Sequence, residues 1–260
     1  MDRWVGKVAV VTGASTGIGA GIAKSLVNEG LMVVGLARRL DKLEELSASL
    51  EGAKGKFYPR QCDVTKDDDL LNAFEWVKTK FGGVDILVNN AGVYSNKPII
   101  DIEGFRNMLN VNVLATAISV KQAVASMRSR NVAGHVIIIN RNFSDSVDGH
   151  LLPPNQNAGL YSPSKFSITA MTETLRQELV AAGTKIKITS VSPGYVISDI
   201  MRASGVSNHE TFFDVIPHLQ PKDIANAILY ILGTPEDVQV NDVSKSFHLF
   251  LYQTRCSNGC

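Results

Sequence analysis

Tyr161 and Lys165 stand four residues apart in Tyr161-Ser162-Pro163-Ser164-Lys165. That spacing puts both side chains on one face of a helix. A phenol ionises near pH 10 and is a poor base at neutrality, but an ammonium beside it stabilises the phenolate. Such a pair suits proton transfer at oxygen: the phenol protonates a carbonyl, or takes the proton of a hydroxyl. The ammonium also suits a sugar hydroxyl. Tyr161 alone of the six tyrosines has a lysine at this spacing, and Pro163 fits a first helical turn.

A second constellation lies near the N-terminus. Thr12-Gly13-Ala14-Ser15-Thr16-Gly17-Ile18-Gly19 falls between an apolar run and a helical pattern. Glycines let a backbone approach an anion, and a helix N-terminus offers N–H groups and a positive dipole end. Gly13, Ser15, Thr16, Gly17, Ile18 and Gly19 are therefore candidates for holding a nucleotide phosphate. The other reading is a tight turn without a ligand. The spacing is Gly-x-x-x-Gly-x-Gly rather than the Gly-x-Gly-x-x-Gly of most dinucleotide-binding dehydrogenases. The next apolar run ends in Ala37-Arg38-Arg39. An acidic residue there would bind a ribose 2′-hydroxyl, whereas a basic one accommodates a 2′-phosphate. Ala37 cannot accept that hydrogen bond, and Arg38 can clamp a phosphate, so the pair points to NADP(H) rather than NAD. A solvated basic pair opening a surface helix is the alternative.

The elements that must position these residues alternate along the chain. Strand-like runs are Lys7–Thr12, Leu31–Ala37, Phe57–Cys62, Val84–Val88, His135–Asn140 and Ile186–Val191. Helical patterns fall between them: Ile22–Gly30, Leu40–Leu50, Leu70–Phe81, Val111–Met127, Tyr161–Ala181 and Pro221–Leu232. Near-continuous Val/Ile strands alternating with helices predict an α/β, doubly wound parallel sheet covered on both faces. The alternating segment Phe247–Tyr252 reads as a last strand. Asn142–Leu160 and Tyr195–Pro217 read as long loops of the kind that carry function, the second as a substrate loop at about 195–217.

Composition narrows the classes. The 260 residues carry 26 Lys+Arg against 25 Asp+Glu, so no basic excess points to nucleic acid or an anionic membrane. No run reaches the roughly 18 consecutive apolar residues of a transmembrane helix, and the start shows no apolar leader. Cys62, Cys256 and Cys260 form neither a disulfide framework nor a zinc spacing. His135, His150, His218 and His248 have no metal-ligand spacing and are expected at the surface; Trp4 and Trp76 are expected to pack. A single cytoplasmic domain spanning 1–260 is the expectation.

Thr12–Gly19, Asn89-Asn90-Ala91-Gly92, Asn112, Tyr161/Lys165 and Pro193-Gly194 together resemble the short-chain dehydrogenase/reductase family, over about residues 5 to 235. The resemblance implies a Rossmann-like sheet of about seven parallel strands and NAD(P)-dependent interconversion of alcohols and carbonyls. It also implies roles. Asp63 and Val64 would meet the adenine, and Asn90, Ala91 and Gly92 would support the cofactor and the central strand. Asn112 would hold a water linking Lys165 to solvent. Pro193, Gly194 and Val196 would flank the nicotinamide, with Ser198 holding its carboxamide. A homodimer or homotetramer is implied as well. Gly35-Leu36-Ala37-Arg38-Arg39 and Thr174-Leu175-Arg176-Gln177-Glu178, among others, resemble a farnesol dehydrogenase-like subgroup. They are similar, too, to an NADP-dependent branch acting on steroids and carbonyls. The implied partner is a small apolar alcohol or carbonyl.

The chain departs from the family at the serine that would hold the substrate oxygen. That serine commonly stands thirteen residues before the tyrosine, where this chain has Asp148. Ser146-Val147-Asp148-Gly149-His150 resembles the subgroup's Ser-x-x-Gly-His, with Ser146 fifteen before Tyr161. Arg141–Asp145 is then an insertion at the mouth of the site. Three readings follow: Ser146 is the functional serine; Ser144 stands in for it; or the insertion displaces the hydroxyl and weakens the enzyme, since a misplacement of about 1 Å can cost two orders of magnitude. The last leads to a second functional reading, an NADP(H)-binding sensor or ligand carrier.

Overall fold

The computed structural model describes residues 1–95, 97, 100, 105–140, 159–197, 200 and 218–246. Seven parallel strands form one sheet in the order β3-β2-β1-β4-β5-β6-β7. They are β1 (Val8–Thr12), β2 (Met32–Ala37), β3 (Lys56–Gln61), β4 (Ile86–Asn89), β5 (His135–Ile139), β6 (Lys187–Pro193) and β7 (Asp242–Lys245). The chain builds outward from β1 to β3, then crosses back to lay β4 on the other side of β1. That reversal leaves a crevice beyond the C-terminal ends of β1 and β4, where open α/β sheets bind ligands.

The helices are α1 (Gly17–Asn28), α2 (Leu40–Ala48), α3 (Asp67–Phe81), α4 (Phe105–Leu109), α5 (Ala115–Ser129), α6 (Tyr161–Ala181) and α7 (Pro221–Gly233). Side-chain alternation along β1 explains why both faces of the sheet are covered. Ala9 and Val11 join a core with Ile22 and Leu26 of α1 and Ile224 and Ile228 of α7. Val8 and Val10 join a second core with Phe74 of α3, Ala123 of α5 and Ile168 of α6. Each buried Val or Ile contributes roughly 1.5–3 kcal/mol of transfer free energy.

Three elements differ from the sequence expectation. The helix expected at Val111–Met127 runs as one helical stretch over Phe105–Ser129, with a π turn at Asn110–Leu114 between α4 and α5. Arg106, Asn107 and Asn110 interrupt the apolar periodicity ahead of Val111, so the pattern was legible only from there. It is the one helix among the described residues long and apolar enough to cross a membrane, yet it is half buried and packs on β4, α3 and α6. Phe247–Tyr252, expected as a last strand, lies outside the described residues, whose seventh strand is Asp242–Lys245. As an edge strand largely exposed to solvent, it needs no apolar alternation, so its sequence gave no strand signal.

His135 is the third difference: it is 1% exposed, not superficial. It begins β5 beside Lys187 of β6. The Thr189 hydroxyl donates to Val240 O (2.6 Å), so its oxygen accepts from His135 Nε2 (2.8 Å) and assigns the proton to that nitrogen. Nδ1 is buried without a hydrogen-bond partner. Burial, then the positive charges of Lys187 and Arg3, push the imidazole down to about 3. Trp4 does pack as expected, 5% exposed, and its indole N–H donates to Leu232 O (2.8 Å). Trp76 stacks edge-on with Tyr58 and Phe81. Cys62 is a free, buried cysteine, its thiol pushed up to about 12 by burial and then by Asp69 and Asp63.

Candidate active site

The turn after β1 is pinned to the turn after β4 across the sheet's reversal point. Thr12 Oγ1 accepts the backbone N–H groups of Asn90 and Ala91, both at 3.0 Å, and donates to Asn89 Oδ1 at 3.3 Å. Asn90 Nδ2 donates back to Thr12 O (2.9 Å) and Gly13 O (3.2 Å). This staple leaves no room beside the turn. Gly13 has φ +67°, and a Cβ there would sit 2.9 Å from Asn90 Nδ2. One on Gly19 would lie 2.2 Å from Gly13 O. Gly19 is thus a close-packing glycine behind the turn; it does not line the cleft.

The N-terminus of α1 suits an anion. Its cap, Thr16, makes no side-chain capping bond, and its first turn carries no acidic residue. In α3, by contrast, Asp67, Asp68 and Asp69 fill the first turn and meet the helix dipole from within the chain. The turn before α1 therefore presents N–H groups and a dipole end to a cleft of about 850 Å³. Gly13, Ser15, Thr16, Gly17 and Ile18 line that cleft. This uncapped, charge-free cradle fits the pyrophosphate of a dinucleotide.

Around the cradle the cleft continues in the expected order. Arg38 and Arg39 follow β2 at its edge, with Arg39 donating to Ser15 Oγ (3.1 Å) and Thr16 Oγ1 (2.8 Å). Asp63 and Val64 follow β3. Burial pushes the Asp63 carboxyl up, but the Thr65 N–H (3.1 Å) and hydroxyl (2.8 Å), with the charges of Arg38 and Lys66, outweigh it and hold it below the usual carboxylate range. Asn90, Ala91 and Gly92 line the middle. Pro193, the last residue of β6, and Gly194 and Val196 after it also line the cleft.

Tyr161 and Lys165 face this cleft from the first two turns of α6, 5% and 8% exposed. Lys165 Nζ donates to Ile139 O at the end of β5 (3.2 Å) and lies 5.8 Å from the centre of the Tyr161 ring. The strand end thereby fixes the ammonium beside the phenol. Asn112 is not a wall residue. It sits behind, 2% exposed, clamping the backbone of Val93 with both ends of its amide: Oδ1 accepts Val93 N–H (2.9 Å) and Nδ2 donates to Val93 O (3.0 Å). The π turn that carries it is a device common at functional sites. Ser146 and Ser198, like Ser144 and the Arg141–Asp145 insertion, lie outside the described residues.

Sequence reasoning missed the cleft residues Tyr94, Met108, Val111 and Ile139, whereas Tyr195 and Ile200, which also line the cleft, fall within the expected substrate loop. Their apolar types were indistinguishable from core in the sequence. Thr12, the staple, had a signal in its place immediately before Gly13.

The arrangement joins a dinucleotide-sized groove to a phenol and an ammonium beside apolar cleft residues. Comparison with known proteins bears on that chemistry. The sequence pattern of the family described as short chain dehydrogenase matches residues 7–208. The chain is 44% identical to farnesol dehydrogenase of Aedes aegypti, over 94% of this chain and 97% of that one. It is 40% identical to dehydrogenase/reductase SDR family member 11 of Gallus gallus, over 94% and 96%. Among solved structures, an alcohol dehydrogenase from the archaeon Thermococcus sibiricus complexed with 5-hydroxy-NADP superposes with a TM-score of 0.77 at 27% identity, covering 92% of this chain and 95% of that one. The chain belongs to the short-chain dehydrogenase/reductase family of NAD(P)-using oxidoreductases.

Proposed function

We propose that the protein is an NADP(H)-dependent enzyme that interconverts an apolar alcohol, an isoprenoid such as farnesol or a steroid, with its carbonyl. The cofactor preference rests on one observation: β2 ends in buried Ala37 and is followed by two arginines that line the cleft, with no acid at that strand end. Arg38 would hold the 2′-phosphate, and Arg39 would bridge from it to the glycine turn. The relative named for farnesol, and the neighbour complexed with 5-hydroxy-NADP, support the same reading. The apolar wall of Tyr94, Met108, Val111 and Ile139 suits an apolar substrate.

When bound, the nicotinamide supplies or accepts the hydride. This chain's residues do the rest. Tyr161 passes a proton to or from the substrate oxygen. Lys165, held by Ile139 O, places its Nζ near the phenol ring and would hold the ribose. Asn112 fixes the segment at Val93 and would hold the relay water. Ser146 would hold the substrate oxygen.

Incubation with NADP⁺ or NADPH against farnesol, a steroid alcohol and ketone pair and small carbonyls tests the proposal. Turnover is expected with an isoprenoid or steroid pair. Cofactor binding without turnover on any of them favours the sensor or carrier. Arg38→Ala should weaken NADPH binding by about 10- to 100-fold, the worth of a hydrogen bond to a charged group, and leave NADH nearly unchanged. An equal loss for both cofactors overturns the 2′-phosphate assignment.

A further inference from the structure

Tyr161 is held from two directions that meet at one amide. Ser164, one helical turn further along α6, is fully buried at 0% exposure. Its hydroxyl donates to the Tyr161 backbone carbonyl (2.6 Å), so its oxygen is left to accept, and Asn112 Nδ2 donates to it (3.1 Å). The donor order fixes the Asn112 amide in one orientation: Nδ2 toward Ser164 Oγ and Val93 O, Oδ1 toward Val93 N–H. The residue after Val93 is Tyr94. Its ring meets the Tyr161 ring edge-on, with centroids 5.1 Å apart and planes at 75°. This is a favoured aromatic geometry. From the Tyr161 carbonyl the path runs through Ser164, Asn112 and Val93 to Tyr94, and returns to Tyr161 at the ring.

We propose that Ser164 and Tyr94 are positioning residues for Tyr161, coupled through Asn112 so that the phenol's backbone and its ring are set by the same amide. A hydroxyl and a ring serve here where either alone would leave a degree of freedom. Ser164 fixes where the side chain starts, and Tyr94 limits where the ring swings. The proposal rests on the reading of Tyr161 as the acid/base, and its test separates the two.

The variants are Ser164→Ala, Tyr94→Leu, their combination, the conservative Ser164→Thr and Tyr94→Phe, and Tyr161→Phe as control. They are assayed for farnesol oxidation with NADP⁺, and for NADPH binding by fluorescence. Ser164→Ala and Tyr94→Leu should each lower kcat by about 10- to 100-fold, the scale of a misplacement near 1 Å, with NADPH affinity and melting temperature close to wild type. Ser164→Thr and Tyr94→Phe should recover most of kcat. The combined variant should lose less than the product of the single losses, because both act through one path. Wild-type kcat in both single variants while Tyr161→Phe is inactive overturns the positioning roles and spares the acid/base assignment. A fall in NADPH affinity that matches the fall in kcat also overturns them. Turnover by Tyr161→Phe overturns the assignment and the proposal with it. A second readout needs no substrate. In ¹³C-tyrosine spectra the Tyr161 ring signal, identified by its loss in Tyr161→Phe, should move in Ser164→Ala, although Ser164 bonds the carbonyl and not the ring. An unmoved signal overturns the coupling.

Discussion

At the N-terminal ends of the strands, buried polar groups close on one another. Asp85 accepts the Val8 N–H (2.9 Å) and pairs with Arg130 (2.9 Å), which also donates to Ser126 O and Val84 O. His135 is tied to Thr189 and driven neutral. At the C-terminal ends, groups equally deep line a cleft: Tyr161 and Lys165 are both under a tenth exposed, yet they face a groove of about 850 Å³. The difference lies in direction rather than burial. Parallel strands send every βα turn to one end, so turn residues and helix N-termini gather there, while the other end receives the helix C-termini. Polar residues at the first end line a cleft, and those at the second join elements together.

That contrast predicts two classes of variant that do not overlap. The largest effect is expected from Tyr161→Phe, which should cut turnover by about 10²- to 10⁴-fold, the range for one general acid/base, with the urea midpoint unchanged. Wild-type turnover would break the contrast at its active end. Arg130→Ala should do the opposite. It strips a buried carboxylate of its charge partner and should cost about 2–3 kcal/mol of stability, read from urea unfolding, while kcat of the folded protein stays at wild type. A fall in kcat without a fall in stability would show that the two ends communicate.

His135 gives the next effect, visible in pH. Its ordinary value is 6.5, and the folded protein lowers it to about 3, so between these values the unfolded chain binds a proton that the folded chain refuses. The stability it confers is therefore fully present above about pH 6.5 and is lost as pH falls toward 3, at up to about 1.4 kcal/mol per pH unit. From pH 7 to pH 5 the wild type should lose about 2 kcal/mol more than His135→Gln. Parallel urea midpoints for the two proteins over that range would contradict the buried, unpartnered Nδ1.

How much of this was legible in the sequence follows the same division. Val8–Val11 announced a buried central strand because both faces of the sheet are covered, and the glycine turn announced itself because a backbone that approaches an anion tolerates no Cβ. Tyr161 and Lys165 were legible because helical geometry converts a spacing of four into proximity. The rest was settled by tertiary partners that a single sequence does not display. His135 read as a surface histidine because nothing local says that Thr189, 54 residues on, will meet it. Ser164 and Tyr94 carried no signal of their own, since the amide that joins them lies 52 residues before Ser164 in the chain. Asp242–Lys245 carries no alternation because, at the sheet edge, only Val243 packs against the core and the other three residues are exposed.

The smallest effect that still sharpens the contrast comes from Trp4. Its indole N–H and the Arg3 guanidinium both donate to Leu232 O, each at 2.8 Å, tying the N-terminal segment to the last turn of α7. Trp4→Phe removes one of two donors, so the carbonyl keeps Arg3 and pays no penalty for an orphaned acceptor. What is lost is one shared hydrogen bond and part of a ring that is 5% exposed. About 1 kcal/mol is expected, below the usual cost of a buried group left unpaired. Adding Arg3→Ala should then cost more than Arg3→Ala costs alone, because the second deletion leaves Leu232 O without either donor. Urea unfolding of the two single variants and the double variant measures this directly, with turnover expected at wild-type kcat in all three. Strict additivity would mean that water replaces the lost donors and that the N-terminal end of the sheet is less closed than its geometry indicates.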